Sequence, residues 1–111
     1  MLGELRVTPV GSPEDFAHVV ADVVRIVSES DLQYQVHAMG TTVEGELDQI
    51  LELMRRCHAE VRKHSDRVLL ELALDDRAGA QGELVRSVER VRKLDVDVPL
   101  ERLTVTRRIQ T

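Results

Sequence analysis

Several side chains suited to binding or catalysis lie close together near the middle of the chain. An imidazole (His37), a thioether (Met39), two hydroxyls (Thr41 and Thr42) and a carboxylate (Glu44) follow one another within a few residues. A thioether offers a polarisable surface to a flat ring, a hydroxyl makes neutral hydrogen bonds, and a carboxylate attracts cations and accepts from amines. This combination suits a site for a flat, positively charged small molecule.

Catalysis is a weaker interpretation of the same residues. His37 and Glu44 have the side chains of a general acid–base pair, but they also suit a cross-strand ion pair that contributes about 0.2–1 kcal/mol to stability. No neighbouring side chain completes a Ser-His-Asp arrangement, and the sequence has neither a phosphate-binding glycine loop nor zinc-ligand spacing. We therefore expect no enzymatic activity, no cofactor and no metal.

The candidate residues lie on two short strand-like runs, over residues 33–39 and 41–46. Gly40 is the only obvious turn residue between the two runs. The pattern therefore predicts a β-hairpin that turns about Gly40 and Thr41.

Side chains alternate between the two faces of a strand, so the predicted hairpin decides which residues meet. A turn about Gly40 places His37 opposite Glu44 and Met39 opposite Thr42, all on one face of the hairpin. Tyr34 points to the other face, where alternation favours packing in the core. The first face is where we expect a ligand to bind.

Hydrophobic periodicity predicts the elements on either side of this hairpin. The order strand, helix, strand, strand, helix, strand is the split βαβ, or ferredoxin-like, arrangement (βαββαβ) of the α+β class, in which two helices cover one face of an antiparallel sheet. An extra C-terminal helix and a tail follow. The outer elements are expected at residues 2–10 and 67–75 for strands, and at 13–30, 47–63 and 83–94 for helices.

Each of the two covering helices carries an apolar stripe that is expected to face the sheet. The stripe of the first comprises Phe16, Val20, Val23 and Val27, widened by Val19, Val24 and Ile26. The stripe of the second comprises Leu47, Ile50, Leu51, Met54, Cys57 and Val61. On its exposed side the second helix is expected to carry an ion pair between Glu52 and Arg56.

These elements make one ferredoxin-like domain over residues 1–94, followed by a C-terminal extension over residues 95–111. Strand-forming residues follow Pro99. The extension either adds an edge strand or is flexible, and the sequence leaves both alternatives open.

The sheet face away from the helices is expected to mix polar and apolar side chains, among them Met39, Leu69 and Ala73. A surface of this kind usually meets a ligand or a partner. We therefore expect a homo-oligomer, a dimer or a tetramer, assembled through the sheets.

Composition excludes several classes of partner. The chain has 111 residues and a formal net charge of −5, with Lys and Arg mixed among Asp and Glu, so it lacks the positive surface that nucleic-acid binding needs. No apolar run approaches the roughly 20 residues of a membrane span. Cys57 has no second cysteine to pair with, and we expect it in the core of a cytoplasmic protein.

Four short motifs stand out along the chain: Pro9-Val10-Gly11, Ser30-Asp31-Leu32-Gln33-Tyr34, Met39-Gly40-Thr41-Thr42-Val43-Glu44-Gly45 and Leu74-Asp75-Asp76-Arg77. They resemble the motifs of the small thiamine-binding protein family. The resemblance covers about residues 3–94 and implies a ferredoxin-like subunit, assembly through the sheets, and binding of thiamine or its pyrimidine part. Asp31 replaces the usual glycine of the second motif, and the tail exceeds that of shorter members.

The resemblance also implies roles for individual residues. Glu44 would accept a hydrogen bond from the exocyclic amine or pair with a ring nitrogen, and Met39 would lie against the ring. Tyr34 would stack or donate its hydroxyl. The full set of expected ligand-binding residues is Tyr34, His37, Met39, Thr41, Thr42 and Glu44. The expected function is non-catalytic binding of thiamine or its aminopyrimidine part, as a carrier, buffer or sensor; the alternative is a structural homo-oligomer.

Overall fold

The computed structural model describes residues 1–11 and 16–93. Within them the chain forms four strands and three helices in the predicted order. These are β1 (Leu2–Val10), α1 (Phe16–Glu29), β2 (Gln33–His37), β3 (Gly40–Glu44), α2 (Leu47–Arg62), β4 (Arg67–Asp75) and α3 (Glu83–Lys93). The predicted helix start at Pro13 and the extension over residues 95–111 lie outside the described residues.

The strands form one antiparallel sheet in the order β2-β3-β1-β4. This order, with β1 and β3 side by side in the middle, confirms the ferredoxin-like prediction. β1 pairs with β4 along its whole length, from Leu2 opposite Asp75 to Val10 opposite Arg67. With β3 it pairs only from Leu2 to Leu5. The second half of β1 therefore has a strand neighbour on one side only among the described residues.

The predicted register of the hairpin is wrong. His37 lies opposite Gly40 and Gln33 lies opposite Glu44, so Ala38 and Met39 form a two-residue connection. The predicted pairing of His37 with Glu44, and that of Met39 with Thr42, therefore does not occur. Because His37 meets a residue four positions earlier than predicted, and four is an even number, each strand residue keeps its predicted face.

Gly40 begins β3 instead of forming the turn. Its φ is 155°, and a Cβ on this residue would lie 2.9 Å from the carbonyl oxygen of Leu5. Such a contact is shorter than real side chains tolerate. The glycine is therefore required by the close approach of β3 to β1, a contact between residues far apart in sequence.

Helices α1 and α2 pack on one face of the sheet and form a core with few aromatic residues. The core consists of Leu5, Val19, Val23, Ile26, Val27, Leu32, Val43, Ile50, Leu53, Met54, Cys57 and Val61, with Tyr34 packed against it. Tyr34 thus takes the core position that alternation favours. Burial of Cys57 raises the pKa of its thiol to about 11, so this residue is a small apolar core side chain and not a nucleophile at neutral pH.

Some predicted core positions are wrong. Phe16 and Val20 of α1 are exposed, as are Leu47 and Leu51 of α2, while Leu53 is buried in their place. The helical period fixes the spacing of an apolar stripe, but the sheet beneath it decides how much of the stripe is covered.

The surface ion pair predicted between Glu52 and Arg56 is also shifted by one residue. Arg55 Nη2 lies 2.6 Å from Glu52 Oε1 instead. None of the helices described is long and apolar enough to cross a membrane.

Candidate functional site

A groove of about 340 Å³ lies between the first half of α1 and the tip of the β2–β3 hairpin. It lies where β3 no longer accompanies β1, so none of the described strands pairs with this edge of β1 beneath the helix. Volumes of this order are at the lower end of small-molecule sites. Two other pockets between described residues are smaller, at about 240 and 10 Å³.

The walls of the groove are mostly apolar. Phe16, Val20, Val23 and Val24 of α1 form one side, and Leu5, Val7 and Val36 of the sheet lie across from them. Phe16 is 45% exposed, although large aromatic side chains are usually well buried. The exposure of Phe16 and Val20, which appeared as a departure from the predicted core, is therefore explained by the groove that they line.

The second half of β1 presents to the same groove backbone groups that have no strand partner among residues 1–11 and 16–93. The carbonyl oxygen of Leu5 points towards β3, as its approach to Gly40 shows. Every second residue of a strand presents its backbone groups to the same edge, so Val7 presents its N–H and C=O to that edge too. β3 does not reach this far. Pro9, which has no N–H to leave unpaired, lies two residues further along this edge.

The structure brings three of the six predicted ligand residues to this groove: His37, Met39 and Thr41. Met39 lies in the hairpin connection and is 63% exposed. Thr41 is buried, and its side chain lies on the same sheet face as the core, below the groove. The groove therefore combines apolar walls, an exposed thioether at its mouth and a few polar groups.

Thr42 and Tyr34 lie away from the groove. Thr42 is on the opposite face of the sheet, where its Oγ1 is hydrogen-bonded to Nε2 of His37 at 3.2 Å. Tyr34 pairs with Val43 nearer the other end of the hairpin and packs against the core. Neither residue is among those that line the groove.

Glu44 has a structural contact at the other end of β3. Its carboxylate accepts hydrogen bonds from the backbone N–H groups of Glu83 (2.8 Å) and Leu84 (3.2 Å), which belong to the first turn of α3. These N–H groups have no partner within their own helix, and a negative charge at this end is favourable. Glu44 thus holds α3 to the sheet through residues about 40 positions away.

The neighbouring Glu83 carries a second negative charge at the start of α3. Arg90 donates a 3.0 Å hydrogen bond to Glu83 Oε1, and this bond lowers the pKa of the Glu83 carboxyl below its ordinary value. The charges at this helix end are therefore mostly matched within the chain.

Sequence reasoning missed the α1 side of the groove. Phe16, Val20 and Val24 were assigned to the core because helical spacing alone cannot separate a groove wall from a core face. A signal did exist: the apolar stripe of α1 is wider than one packed face requires, with seven apolar residues between Phe16 and Val27 in the predicted set.

Comparison with known proteins identifies the family of the chain. The sequence profile of the thiamine-binding protein family matches residues 3–92. The chain belongs to this family. A UPF0045 protein of Methanothermobacter thermautotrophicus is 34% identical to this family member over 93 residues, which cover 81% of the chain and 94% of the relative. A UPF0045 protein of Bacillus subtilis is 30% identical over 99 residues, which cover 83% of the chain and 94% of the relative.

Solved structures of similar proteins agree with the fold of this thiamine-binding family member. A hypothetical protein of Methanocaldococcus jannaschii superposes with a TM-score of 0.75 at 27% identity, covering 83% of this chain and 95% of the other. A Thermotoga maritima protein, provisionally described as a thiamine biosynthesis or salvage protein, superposes with a TM-score of 0.68 at 24% identity. The match covers 84% of this chain and 96% of the other. At this identity the similarity supports the fold alone.

Proposed function

We propose that this protein binds thiamine, or its aminopyrimidine part, in the groove between α1 and the hairpin tip, and that it does so without catalysis. The thiamine-binding family to which the chain belongs supports the ligand class. The observation that carries the location is the combination of an apolar groove with the edge of β1 at Val7, which none of the described strands pairs with.

An aminopyrimidine presents a donor and an acceptor side by side, from its exocyclic amine and the adjacent ring nitrogen. A free strand edge presents a C=O and an N–H from one residue, which matches that pattern. With the ring edge at Val7, the ring faces would contact Phe16 or Val20 on one side and Met39 on the other. The hydroxyl of Thr41 would supply a further hydrogen bond from below.

The groove favours the pyrimidine end of thiamine over its cationic thiazolium end. No carboxylate lines it among the described residues. Arg6 and His37 also line it, but the side chain of Arg6 pairs with Glu71 and that of His37 with Thr42, on the opposite face of the sheet. We therefore propose that the cationic ring extends towards solvent and that the neutral ring supplies most of the affinity. Glu44, the predicted partner of the cation, is assigned instead to holding α3.

Isothermal titration calorimetry with a matched pair of variants tests the location. Val20 and Leu51 are both exposed apolar residues on helices, 39% and 45% exposed, but only Val20 lines the groove. Val20→Arg should lower the affinity for thiamine by about tenfold or more, because a long charged side chain fills the groove and must be desolvated by the ligand. Leu51→Arg should bind as the wild type does.

The free aminopyrimidine serves as a second probe in the same experiment. It should lose affinity in Val20→Arg by the same factor as thiamine does, since both share the buried ring. Wild-type affinity in a folded Val20→Arg variant would place the ligand elsewhere. If neither molecule binds the wild type, the ligand assignment fails.

A second candidate function is that of a structural homo-oligomer, and one surface favours it. Leu69 on the free sheet face of β4 is 46% exposed, and Ala73 on the same face is exposed as well. Leu70 and Leu74 on the opposite face of β4 are also exposed. An apolar edge strand of this kind is suited to pairing with a second copy. Assembly through the sheets as a dimer or tetramer is compatible with ligand binding, so we propose both.

The remaining expectations concern the role and the location of the protein in the cell. A carrier, buffer or sensor needs binding and release but no chemistry, and the groove holds no pair of groups arranged for proton transfer among its described residues. A cytoplasmic location stays a prediction; the single, reduced and buried Cys57 is compatible with it.

A further inference from the structure

Three side chains with metal-binding atoms converge at the outer side of the two-helix layer, away from the groove. Asp22 comes from the middle of α1, Glu60 from the last turn of α2, and His64 from the turn that follows. One ligand atom from each residue lies within 4.8 Å of those of the other two. Glu60 and His64 are four residues apart, so they share one side of the helix end.

The backbone around His64 is well fixed, which gives the cluster a defined geometry. The N–H of His64 donates to the carbonyl oxygen of Val61 at 3.0 Å. The next residue, Ser65, is buried, and its hydroxyl lies 2.7 Å from the carbonyl oxygen of Val10. The imidazole lies near α1, with its Nε2 3.9 Å from Asp22 Oδ2.

The distances suit a divalent metal after small side-chain rotations. Two ligands of a tetrahedral zinc ion, each about 2.0–2.1 Å from the metal, lie about 3.3 Å apart. The three atoms of the cluster are at most 4.8 Å apart, and all three side chains retain some exposure and can rotate. Besides the contact with His64, the carboxylates meet surface cations within the described residues, Arg25 with Asp22 at 3.4 Å and Lys63 with Glu60 at 2.9 Å. Exposed pairs of this kind are weak and easily replaced.

The donor set indicates the class of metal. One imidazole with two carboxylates suits zinc and its first-row neighbours, whereas calcium and magnesium prefer oxygen alone. Three protein ligands leave a fourth position for water. The thiol of Cys57 in α2 cannot bind the same metal ion, because this side chain is completely buried and faces the core.

We propose that Asp22, Glu60 and His64 form a binding site for a divalent transition metal that links α1 to the end of α2. The bound ion neutralises the two carboxylates and fixes α1, the helix that also forms one wall of the groove. The site is separate from the proposed ligand groove, since none of its three residues lines that groove.

Titration of the untagged full chain with zinc chloride tests this assignment, with the neighbouring histidine of α2 as a control. Wild-type protein should bind one zinc ion per chain, and His64→Gln should bind it about tenfold more weakly or worse. His58→Gln should stay within about twofold of the wild type, because His58 is exposed on α2 outside the cluster. At a zinc concentration 100 times the dissociation constant, the wild-type Tm should rise on the order of 10 °C.

Asp22→Asn separates a site between the helices from one on α2 alone. Loss of zinc affinity in Asp22→Asn and Glu60→Gln, as well as in His64→Gln, supports the proposal. Equal affinity in wild type and His64→Gln overturns it, and so does full affinity in Asp22→Asn. Cobalt(II) gives an independent readout, because its visible spectrum should change in the wild type and in His58→Gln but not in His64→Gln.

Discussion

Replacing Glu44 by Gln tests whether this residue holds α3 or binds a ligand. The carboxylate accepts two backbone hydrogen bonds, from Glu83 and Leu84, at the positive end of the helix. Glutamine keeps the shape and one acceptor oxygen, but it loses the charge and one of the two bonds. Hydrogen bonds to charged groups contribute about 1.5–3 kcal/mol and neutral ones about 0.5–1.5 kcal/mol. Charge at a helix end adds about 0.3–1 kcal/mol.

Taken together, these values predict that Glu44→Gln weakens the docking of α3 by roughly 1–2 kcal/mol. Hydrogen exchange measured by NMR reports this directly. The amide protons of Glu83 and Leu84 should exchange about tenfold faster in the variant, at about 1.4 kcal/mol per factor of ten. Glu4→Gln is the matched control, because Glu4 is an exposed carboxylate on the same sheet face, where it lies opposite Thr42.

The exchange rates and the thiamine affinity of Glu44→Gln must be measured together. Faster exchange with nearly unchanged affinity is the expected result, since Glu44 lies outside the groove. Unchanged exchange at Glu83 and Leu84 would refute the capping role. If the affinity then fell tenfold or more, Glu44 would be a ligand of the cation, as its sequence motif predicts.

Three further predictions concern the core, the buried thiol and the free sheet face. Val23→Asp should prevent folding, because Val23 is buried and an unpaired buried charge costs several kcal/mol, whereas Glu52→Gln should leave the Tm within about 2 °C of the wild type; similar thermal melts for the two variants would contradict the assignment of helix faces. Burial raises the pKa of the Cys57 thiol from 9.0 to about 11. The stability that this raised pKa gives the folded state is therefore fully present below pH 9 and is lost as the pH rises towards 11. Over this range the free energy of unfolding, measured with urea, should fall by on the order of 2–3 kcal/mol more in the wild type than in Cys57→Ala. Light scattering should show a dimer or tetramer at tens of micromolar and a smaller species for Leu69→Arg, and a wild-type monomer would exclude assembly through this face.

Sequence periodicity predicted the elements well where local pattern decides them. The strand expected over residues 67–75 is β4, with the same bounds, and the helix expected over 47–63 is α2 with one residue fewer. The alternation of β4 and the apolar stripe of α2 are both bounded by polar residues. In such segments hydrophobic period and element length agree, so the prediction needs no knowledge of distant residues.

The hairpin register could not be predicted in this way because a distant contact determines it. A glycine between two strand-like runs ordinarily indicates a turn. Here a glycine is needed at position 40 because β3 passes close to the carbonyl oxygen of Leu5, which lies 35 positions earlier in the sequence (40 − 5). The turn consequently falls on Ala38 and Met39. Nothing in the local sequence distinguishes these two uses of a glycine.

The same limitation applies to the candidate site. Three of its predicted residues, His37, Met39 and Thr41, reach the groove because they lie at the hairpin tip. The groove lies where β3 ends while β1 continues, and this difference in strand length becomes visible only when the sheet is assembled. The sequence predicted Glu44 as a ligand-binding residue. The two backbone N–H groups that its carboxylate binds, those of Glu83 and Leu84, lie 39 and 40 positions away, so no local pattern indicates them.

The central place of β1 in the sheet has a consequence for how the chain acquires its structure during synthesis. Leu5 pairs with Thr41 and Leu72, which follow it by 36 and 67 positions (41 − 5 and 72 − 5). At about 5–20 residues per second, roughly 3–13 s separate the synthesis of Leu5 from that of its second partner. The β2–β3 hairpin, whose strands are adjacent, can form within about 1–10 μs of its completion. Of the four strands, β1 is made earliest but cannot have both of its neighbours until β4 is made, and during those seconds its apolar residues lack the partners that bury them.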